Sequence, residues 1–311
     1  MEVIDLSNYE EKNNQTAVAL GNFDGIHIGH KYLIEDMLKK AKARNLKSSV
    51  LLFRNHTKTI LNKDSSTNLG IITSNEQKLE ILNNLGVETI YTMNFDRNTM
   101  KLSGKEFVEN IIINKLNAKL VTVGFDYRFG YKALGDSKYL KKLGLEKGFE
   151  TNIINPIYVE EEIVSSTAIR NLIKIGDIKK ANHFLGRSYA LRGKVISGEN
   201  RGNKMGYPTA NLKLDHDYVI PKTGVYETTT LLGNKEFLSL TNIGYNPTFN
   251  ENVLKIENHI LNFSGEIYGR PIEVKLIDFM RDDIKFKTVK GLIKQINKDI
   301  EYIKSRQRFR I

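Results

Sequence analysis

The sequence predicts an α/β domain with a parallel sheet, followed by an antiparallel β-barrel that ends in a helix. Three observations support this prediction. In the first half of the chain, apolar strand patterns alternate with helical patterns, which is typical of a doubly wound sheet. After Tyr189, short β-rich runs alternate with turn residues, as they do in a barrel. Over 288–303, apolar residues recur at helical spacing.

Length and composition limit the possible classes of protein. A chain of 311 residues suits about two domains, and we place them at 1–186 and 187–311, with a short joint at Arg187 and Ser188. The chain has no cysteine, which excludes disulfides and thiol nucleophiles and indicates a reducing compartment. The polar start does not resemble a signal peptide, and no apolar stretch has the length of a membrane span. We therefore expect a soluble, cytoplasmic protein without a membrane partner.

The charge balance is basic, with 47 Lys and Arg against 36 Asp and Glu, a net charge of +11. Most of the lysines are scattered through helical patterns, where they are typical of solvated faces. Only the tail over 304–311 is a dense basic cluster. A polyphosphate substrate accounts for the remaining excess, so nucleic acid is not the expected partner.

In the first domain, each predicted strand is a run of apolar residues. Each predicted helix has apolar residues along one face, and two of the helices begin with a capping box. The predicted strands are 17–20, 49–53, 88–93, 119–123 and 151–157. The predicted helices follow His30, begin at the capping boxes Ser74/Gln77 and Ser103/Glu106, and span 137–147. In such a sheet the ligand site lies at the carboxyl ends of the strands.

The turn over 21–30, GNFDGIHIGH, comes between the first of these strands and the first helix. Its glycines allow a sharp turn and close approach of a ligand, and free N–H groups at a helix start favour a phosphate. His27 and His30 are close enough in sequence to reach one small volume. Two imidazoles there supply hydrogen-bond donors for the negative charge that develops on the oxygens of an attacked phosphorus.

Two further segments point to the same edge of the sheet. VGFDYRFG, at 123–130, ends a strand and enters a glycine-flanked loop. SSTAIR, at 165–170, has hydroxyl residues that cap a helix and Arg170 one turn further on. Hydroxyls, N–H groups and a guanidinium at one helix start predict a second anion site.

The second domain has its own group of polar residues. Strands are predicted at 190–196, 225–232, 237–244, 253–261 and 271–279. In the basic, glycine-bearing segment 197–211, Pro208 fixes the backbone and alternation places Thr209 and Asn211 on one side. Two neutral oxygens, together with phosphate oxygens and water, suit Mg²⁺. Glu257 and His259 also share a face, and the Glu257 carboxylate can accept a proton from an attacking hydroxyl.

These segments, together with NIGYNPTF, IENHIL and IYGRPIEV, resemble the prokaryotic bifunctional riboflavin kinase/FAD synthetase family over nearly the whole chain. The resemblance implies a Rossmann-like nucleotidylyltransferase domain followed by a six-stranded riboflavin kinase barrel. It also implies ATP as co-substrate, with riboflavin, FMN and FAD as substrate, intermediate and product.

For the second domain, the resemblance implies transfer of the γ-phosphoryl group of ATP to riboflavin. Thr209 and Asn211 would bind Mg²⁺ and the phosphates, Glu257 would be the general base, and Arg281 would contact the flavin. The implied cover of the nucleotide is the loop that contains Gly198, Arg201, Gly202 and Gly206.

For the first domain, the resemblance implies attack of the FMN phosphate on the α-phosphorus of a second ATP. His27, His30 and Arg170 would stabilise the charge, and His56 and Asp126 would lie near the flavin and nucleotide. The implied ATP-binding positions are Gly21, Asn22, Phe23, Asp24, Gly25, Gly29, Ser166 and Thr167.

The chain departs from the family pattern in two places. After the second strand, Asn55 and Thr57 stand where the family carries prolines on either side of the histidine, here His56. Phe125 stands where the family often has a polar residue.

Two other functions are compatible with parts of the sequence. One is a riboflavin kinase whose first domain has lost FMN adenylylation or uses a different acceptor. The other is a flavin-responsive regulator that binds nucleic acid through its basic tail. The intact phosphate-binding segments argue against a pure binding protein.

Overall fold

The computed structural model describes residues 1–9, 14–54, 69–198, 202, 205–248 and 251–307. By its internal contacts the chain divides into two compact units, Met1–Ser166 and Thr167–Ile311. Among the helices in these ranges, none combines the length and the apolar character needed to cross a membrane.

A six-stranded sheet forms the centre of the first unit. Its strands are β1 (Glu2–Asp5), β2 (Thr16–Leu20), β3 (Lys47–Phe53), β4 (Thr89–Met93), β5 (Ala118–Gly124) and β8 (Glu150–Ile154). Their order is β1-β4-β3-β2-β5-β8, and every neighbouring pair is parallel. The predicted parallel sheet is confirmed, and β1 is an edge strand that the sequence pattern did not indicate.

Helices connect these strands. Their bounds are α1 (Ile28–Ala43), α2 (Asn75–Asn84), α3 (Arg97–Lys101), α4 (Gly104–Phe107) and α5 (Ser137–Lys147), with a π-helix at Val108–Lys115 and single 3₁₀ turns at Leu6–Asn8 and Tyr131–Ala133. Both predicted capping boxes form, at Ser74 with Gln77 and at Ser103 with Glu106. Two small hairpins complete the unit, β6 (Arg128–Phe129) with β7 (Gly135–Asp136) and β9 (Tyr158–Val159) with β10 (Glu162–Ile163).

Both faces of the sheet are buried, which explains why its strands are continuous apolar runs rather than alternating ones. Within β2, Val18 and Leu20 belong to one apolar cluster, whereas Ala17 and Ala19 belong to another. Since side chains alternate along a strand, the two clusters lie on opposite faces.

The strand order reverses between β2 and β5. The chain goes from β2 to β3 and β4 on one side, and then returns to β5 on the other side of β2. In open parallel sheets such a reversal leaves a crevice at the carboxyl ends of the two neighbouring strands. The turn after Leu20 and the loop after Gly124 therefore begin at the same edge, as the sequence predicted.

A closed barrel forms the centre of the second unit. Its strands are β11 (Tyr189–Ile196), β12 (Ala210–Leu214), β13 (Gly224–Leu232), β14 (Lys235–Thr248), β15 (Glu251–Ile260) and β16 (Pro271–Arg281). They close in the order β11-β12-β15-β14-β13-β16, with every pair antiparallel. This confirms the predicted six-stranded barrel.

The barrel interior contains a buried hydroxyl network as well as apolar side chains. The Thr228 hydroxyl lies 2.8 Å from the hydroxyls of both Ser239 and Thr241. The Thr230 hydroxyl lies 2.8 Å from that of Ser239 and accepts a 2.6 Å bond from the Asn258 amide. Because buried polar groups need partners, this network satisfies hydroxyls that would otherwise destabilise the core.

Three helices belong to this half of the chain: α6 (Ser166–Ile175), α7 (Ile178–Leu185) and α8 (Val289–Gln307). The helix α7 ends at Gly186 in the left-handed region, where the sequence predicted a change of character. It is held to the barrel by Asn182, whose amide donates to the Leu276 carbonyl at 2.9 Å. The predicted terminal helix is confirmed as α8, and its residues Ile300 and Ile303 pack on Val225 and Leu240.

Candidate functional site

The glycine-rich turn after β2 has an unusual backbone, since Phe23, Gly25 and Ile26 all have positive φ angles. The buried Asp24 side chain stabilises this shape, because its Oδ1 accepts from the N–H groups of Ile72 (3.0 Å) and Thr73 (3.3 Å). Aspartate therefore joins the turn to the segment that leads into α2. A residue without an acceptor there would lose both of these hydrogen bonds.

The two histidines of the turn stack on each other. His27 is the N-cap of α1, and its Nδ1 accepts from the His30 N–H at 3.3 Å. The two rings are 3.7 Å apart and nearly parallel. Gly29 makes this possible, because a Cβ there would lie 3.2 Å from His27 Nδ1. The structure thus brings both predicted histidines into one small volume.

His30 is in an environment that favours its neutral form. Burial, the neighbouring His27 and the positive charge of Lys78 hold the pKa of His30 well below its ordinary value of 6.5. Its Nδ1 is buried and has no hydrogen-bond partner among the described residues. A neutral imidazole at pH 7 can donate one hydrogen bond to an anion without carrying a charge.

The remaining predicted positions of the turn differ in exposure. Phe23 is buried and packs edge-on against His30, whereas Asn22 is exposed. Gly21 faces the Phe23 ring, since a Cβ there would lie 3.1 Å from it. Gly25 has a φ of 89°, a conformation that side chains disfavour.

The other predicted residues of this site lie on separate segments. Asp126 and Phe125 are exposed just after β5. Ser166 is the first residue of α6, and its hydroxyl donates to the Asp24 carbonyl at 2.7 Å. On α6, Thr167 is exposed and Arg170 is buried. His56 lies outside the described residues.

The second unit contains a cavity of about 820 Å³ on the outer side of the barrel. Thr209, Asn211, Glu257 and Arg281 all line it, so four positions that are distant in sequence share one space. Apolar residues of α8, Leu292 and Ile296, form part of its wall.

The strand register explains this convergence. Asn211 is opposite Glu257, Glu257 is opposite Asn242, Asn242 is opposite Val225, and Val225 is opposite Arg281. All five line the cavity, and we call them the cavity row. Paired residues of antiparallel strands point to the same face, with strands about 4.8 Å apart. The polar groups of the row therefore follow one another around the barrel in the order Asn211, Glu257, Asn242 and Arg281, over five adjacent strands.

The glycines of the basic loop are packed against these polar groups. A Cβ on Gly198 would lie 2.0 Å from Asn211 Nδ2, and one on Gly202 would lie 3.3 Å from Thr209 Oγ1. Gly206 has a φ of 82°. Only glycine at 198 lets the loop lie directly on the amide. Arg201 lies outside the described residues.

The segment before Thr209 is held by aromatic side chains. His259 Nδ1 lies 2.8 Å from the Pro208 carbonyl, which is a hydrogen bond when that nitrogen carries the proton. The Tyr207 ring packs edge-on against His259, and its hydroxyl donates to Asn297 of α8 at 2.6 Å. His259 therefore lies on the cavity face with Glu257, as its spacing predicted.

Arg281, at the end of the cavity row, is paired with the terminal helix. Its guanidinium donates to both carboxylate oxygens of Asp299, with a shortest distance of 2.8 Å. Gln295 donates to the same carboxylate at 2.8 Å. Asp299 is buried, so this pair fixes the orientation of the guanidinium at the cavity wall.

The donor set suits a magnesium ion bound mainly by a polyphosphate. No group of three or more His, Asp or Glu side chains suited to a metal occurs in the described parts of the chain. Thr209 and Asn211 supply neutral oxygens, and Glu257 has a carboxylate on the neighbouring strand. Mg²⁺ keeps most of its water and takes few protein ligands when phosphates are present, so these residues fit it.

Three residues of these sites were missed by the sequence analysis. Lys78 and Asp299 are charged and buried, and each lies on the apolar face of a helix. A charge at a core position was the available signal, because such residues are seldom buried without a role. Asn242 lies in the NIGYNPTF segment, and only the barrel register places it beside Glu257.

Comparisons with known proteins match each half of the chain to a family of enzymes. The family model described as FAD synthetase matches residues 9–168, and the family model described as Riboflavin kinase matches residues 185–306. A curated bifunctional riboflavin kinase/FMN adenylyltransferase of Listeria monocytogenes is 38% identical over 283 residues, covering 91% of this chain and 89% of its own length. Those of Bacillus subtilis and Escherichia coli K12 are each 32% identical, covering 93% and 91% of this chain and 92% and 90% of their own lengths.

A solved structure shares the whole architecture. It is a crystal structure of a protein from Streptococcus pneumoniae that is described as a macrolide-efflux protein. The two chains superpose with a TM-score of 0.89 at 31% identity, covering 98% of this chain and 99% of the other. The similarity therefore extends through both units.

Proposed function

The chain belongs to the bifunctional riboflavin kinase/FMN adenylyltransferase family, and from this premise we propose which of its residues perform each reaction. The protein phosphorylates riboflavin to FMN with ATP and adenylylates FMN to FAD. The prediction of both activities is confirmed by two family models, one on each half of the chain. The residue roles below are our proposals.

We propose that the cavity row performs the kinase reaction. Glu257 accepts the proton of the terminal ribityl hydroxyl as that oxygen attacks the γ-phosphorus of ATP, the bond from this phosphorus to the bridging oxygen breaks, and ADP leaves. The carboxylate has no hydrogen-bond or ion-pair partner among the described residues, which leaves it available to the substrate. The position of Glu257 beside Asn211 is the observation on which this proposal depends.

Thr209 and Asn211 would hold Mg²⁺ at the same end of the row, and the ion would neutralise the charge of the transferred phosphoryl group. The glycine loop, with Gly198, Gly202 and Gly206, covers the ATP phosphates together with Arg201. At the other end, Arg281 contacts the flavin. We expect a chelator to stop FMN formation and added Mg²⁺ to restore it.

For adenylylation, we propose that the turn after β2 binds the phosphates of ATP and that FMN attacks the α-phosphorus. The FMN phosphate is already ionised, so the reaction needs no strong base, and pyrophosphate leaves. His27 and His30 donate hydrogen bonds to the oxygens on which charge develops. The neutral state of His30 supports this, because a neutral donor can remain buried before the anion binds.

The other proposed contacts of this site come from the turn and from two further segments. We assign contacts with the β- and γ-phosphates to Ser166, Thr167 and Arg170, and a role in binding the nucleotide and flavin to Asp126 and His56. In the turn, we assign contacts with ATP to Gly21, Asn22, Phe23, Asp24, Gly25 and Gly29. The bond from Ser166 to Asp24 supports a role for Ser166 together with the turn.

We also propose a functional boundary at 186, so that α6 and α7 act with the adenylyltransferase half. The absence of cysteine from the sequence supports the cytoplasm as the compartment. We assign the basic excess to anionic substrates rather than to nucleic acid. Loss of salt-dependent nucleic-acid binding on deletion of 304–311 would contradict that assignment.

Two variants test the division of labour. His30→Ala should abolish FAD formation while riboflavin is still converted to FMN, because the two reactions use different halves of the chain. Asn211→Ala should abolish FMN formation from riboflavin and still convert supplied FMN to FAD. Chromatography of the flavin products, with riboflavin or FMN as the starting material, measures both. Loss of both activities in either variant, in a folded protein, would contradict the assignment.

A further inference from the structure

We propose that Asn242 recognises a secondary hydroxyl of the ribityl chain of riboflavin and thereby positions the terminal hydroxyl at Glu257. The inference rests on the proposed kinase site and extends it to the part of the substrate that does not react. It assigns a role to a residue of the NIGYNPTF segment that the two reactions described above leave unused.

The position of Asn242 is set by the barrel. It is directly opposite Glu257 on the neighbouring strand, and on its other side it is opposite Val225. All three line the same cavity. Between Glu257 and Arg281, which are three strand steps or up to about 14 Å apart, Asn242 and Val225 are the intervening members of the row. A substrate that spans from the general base to the flavin-side arginine passes over the Asn242 amide.

The hydrogen bonding of Asn242 indicates a ligand. Its Oδ1 is buried, yet it has no hydrogen-bond partner in the described structure. A buried acceptor that stays unpaired destabilises the fold, so native proteins rarely keep one without a reason. A carbonyl oxygen can only accept a hydrogen bond, and we assign the missing donor to the molecule that fills the cavity.

The ribityl chain supplies such donors. It carries hydroxyl groups next to the one that is phosphorylated, whereas the flavin ring would lie further along the row. A carbonyl that accepts from one of these hydroxyls holds the chain in one orientation, which keeps the terminal oxygen near Glu257. A flavin that lacks this hydroxyl leaves the acceptor unpaired, and the site discriminates against it.

The test compares enzyme variants on matched substrates. Asn242→Ala removes the acceptor, and Asn242→Leu removes it with little change of volume. Each is assayed with riboflavin and with its 2′-, 3′- and 4′-deoxy analogues. We expect kcat/KM for riboflavin to fall roughly 10- to 100-fold. For one of the analogues, the same substitutions should lower kcat/KM by less than about threefold, because that analogue lacks the hydroxyl that would make the hydrogen bond.

Two controls separate this result from damage to the fold. Conversion of supplied FMN to FAD by the same protein reports the amount of intact enzyme. Ser239→Ala, on the same strand, removes a hydroxyl that lies 2.8 Å from Thr228 and from Thr230 inside the barrel. This variant should lower stability and leave the preference between riboflavin and the deoxy analogues unchanged.

A parallel assay of Glu257→Gln separates the two levels of the proposal. If Glu257→Gln still phosphorylates riboflavin at the native rate, the kinase site itself is wrongly assigned. Suppose instead that Glu257→Gln is inactive, and that kcat/KM of both Asn242 variants falls by the same factor with riboflavin and with all three analogues. Asn242 then does not recognise a ribityl hydroxyl, and the inference is overturned.

Discussion

At the scale of single residues, a missing side chain is as important to the kinase site as the polar groups themselves. The Asn211 amide occupies the space where any Cβ at position 198 would lie. The loop thus contacts the amide through the backbone of Gly198. The orientation of Asn211 therefore depends on a residue that has no side chain and carries no chemistry.

We predict that Gly198→Ala lowers riboflavin phosphorylation at least roughly tenfold, because its Cβ would be 2.0 Å from Asn211 Nδ2 and must displace it. The initial rate of FMN formation measures the effect. Adenylylation of supplied FMN should be unchanged in the same sample. A variant with native kinase activity would show that the loop and the amide do not act together.

The second residue-scale prediction concerns pH and stability. The folded-state pKa of His30 lies well below 6.5, so between these two values the unfolded chain binds a proton that the folded chain does not. The free energy of unfolding therefore rises with pH in this range because of His30. It falls again as the pH drops below 6.5 towards the folded-state pKa of His30. Thermal unfolding between pH 5.5 and 7.5 should show a lower Tm on the acid side.

In His30→Asn this acid-side loss should be smaller, because the group that titrates is gone. The measurement is the slope of Tm against pH, compared between the two proteins. A uniform loss of stability in the variant does not change this slope. Identical slopes would mean that His30 is protonated equally in the folded and unfolded states.

At the scale of elements, the terminal helix α8 is part of the kinase site. Asn297 accepts a hydrogen bond from the hydroxyl of Tyr207, which comes just before Thr209 in the chain. Asp299 accepts from Arg281, at the far end of the cavity row. Further along, Arg306 pairs with the buried Glu227 at 2.9 Å and with Asp278 at 2.7 Å. The helix thus holds both ends of the cavity to the barrel.

We predict that Asp299→Ala weakens riboflavin binding and lowers the stability of the second unit. Breaking a buried ion pair by removing one partner costs roughly 3–5 kcal/mol, since it leaves the other charge unpaired. The KM for riboflavin should rise more than kcat falls, because Arg281 loses its fixed orientation but the reacting groups remain. Steady-state kinetics and thermal unfolding measure the two effects.

Asp282→Ala is the matched control. Asp282 is next to Arg281, and its exposed carboxylate pairs with Lys222 at 2.7 Å, an interaction of about 0–1 kcal/mol at a surface. This variant should retain both the KM and the Tm. If the two variants behave alike, the bond between Asp299 and Arg281 has no special role.

At the scale of the whole molecule, two unlike folds on one chain each use ATP, one at its terminal phosphorus and one at its innermost. Each compact unit contains its own sheet or barrel and its own core. The product of the second half is the substrate of the first. This arrangement allows FMN to pass from one site to the other through solution.

We predict that a mixture of His30→Ala and Asn211→Ala converts riboflavin to FAD, although neither variant does so alone. FMN released by the first variant is adenylylated by the second, at a rate that rises with the concentration of both. Chromatography of the products over time measures it. A mixture that accumulates FMN without FAD would show that FMN is transferred only within one chain.

The sequence by itself determined the local structure and the chemistry. Strand and helix patterns predicted the parallel sheet, the barrel and the terminal helix, because burial of alternate or continuous apolar positions is recorded in the order of residues. The glycine-rich turn and the Pro208 segment were also recognisable, because each is a motif of a few consecutive residues. The edge strand β1 was not predicted, because four residues with exposed and half-buried side chains carry almost no pattern.

Only the tertiary structure decided which distant residues share a site. The cavity row joins Asn211, Glu257 and Arg281 through strand pairings that depend on closure of the barrel. Lys78 beside His30 and Asp299 beside Arg281 are likewise long-range neighbours. The physical reason is that a sequence pattern reports which face of an element is buried, whereas the partner across that face is chosen by register and packing between elements.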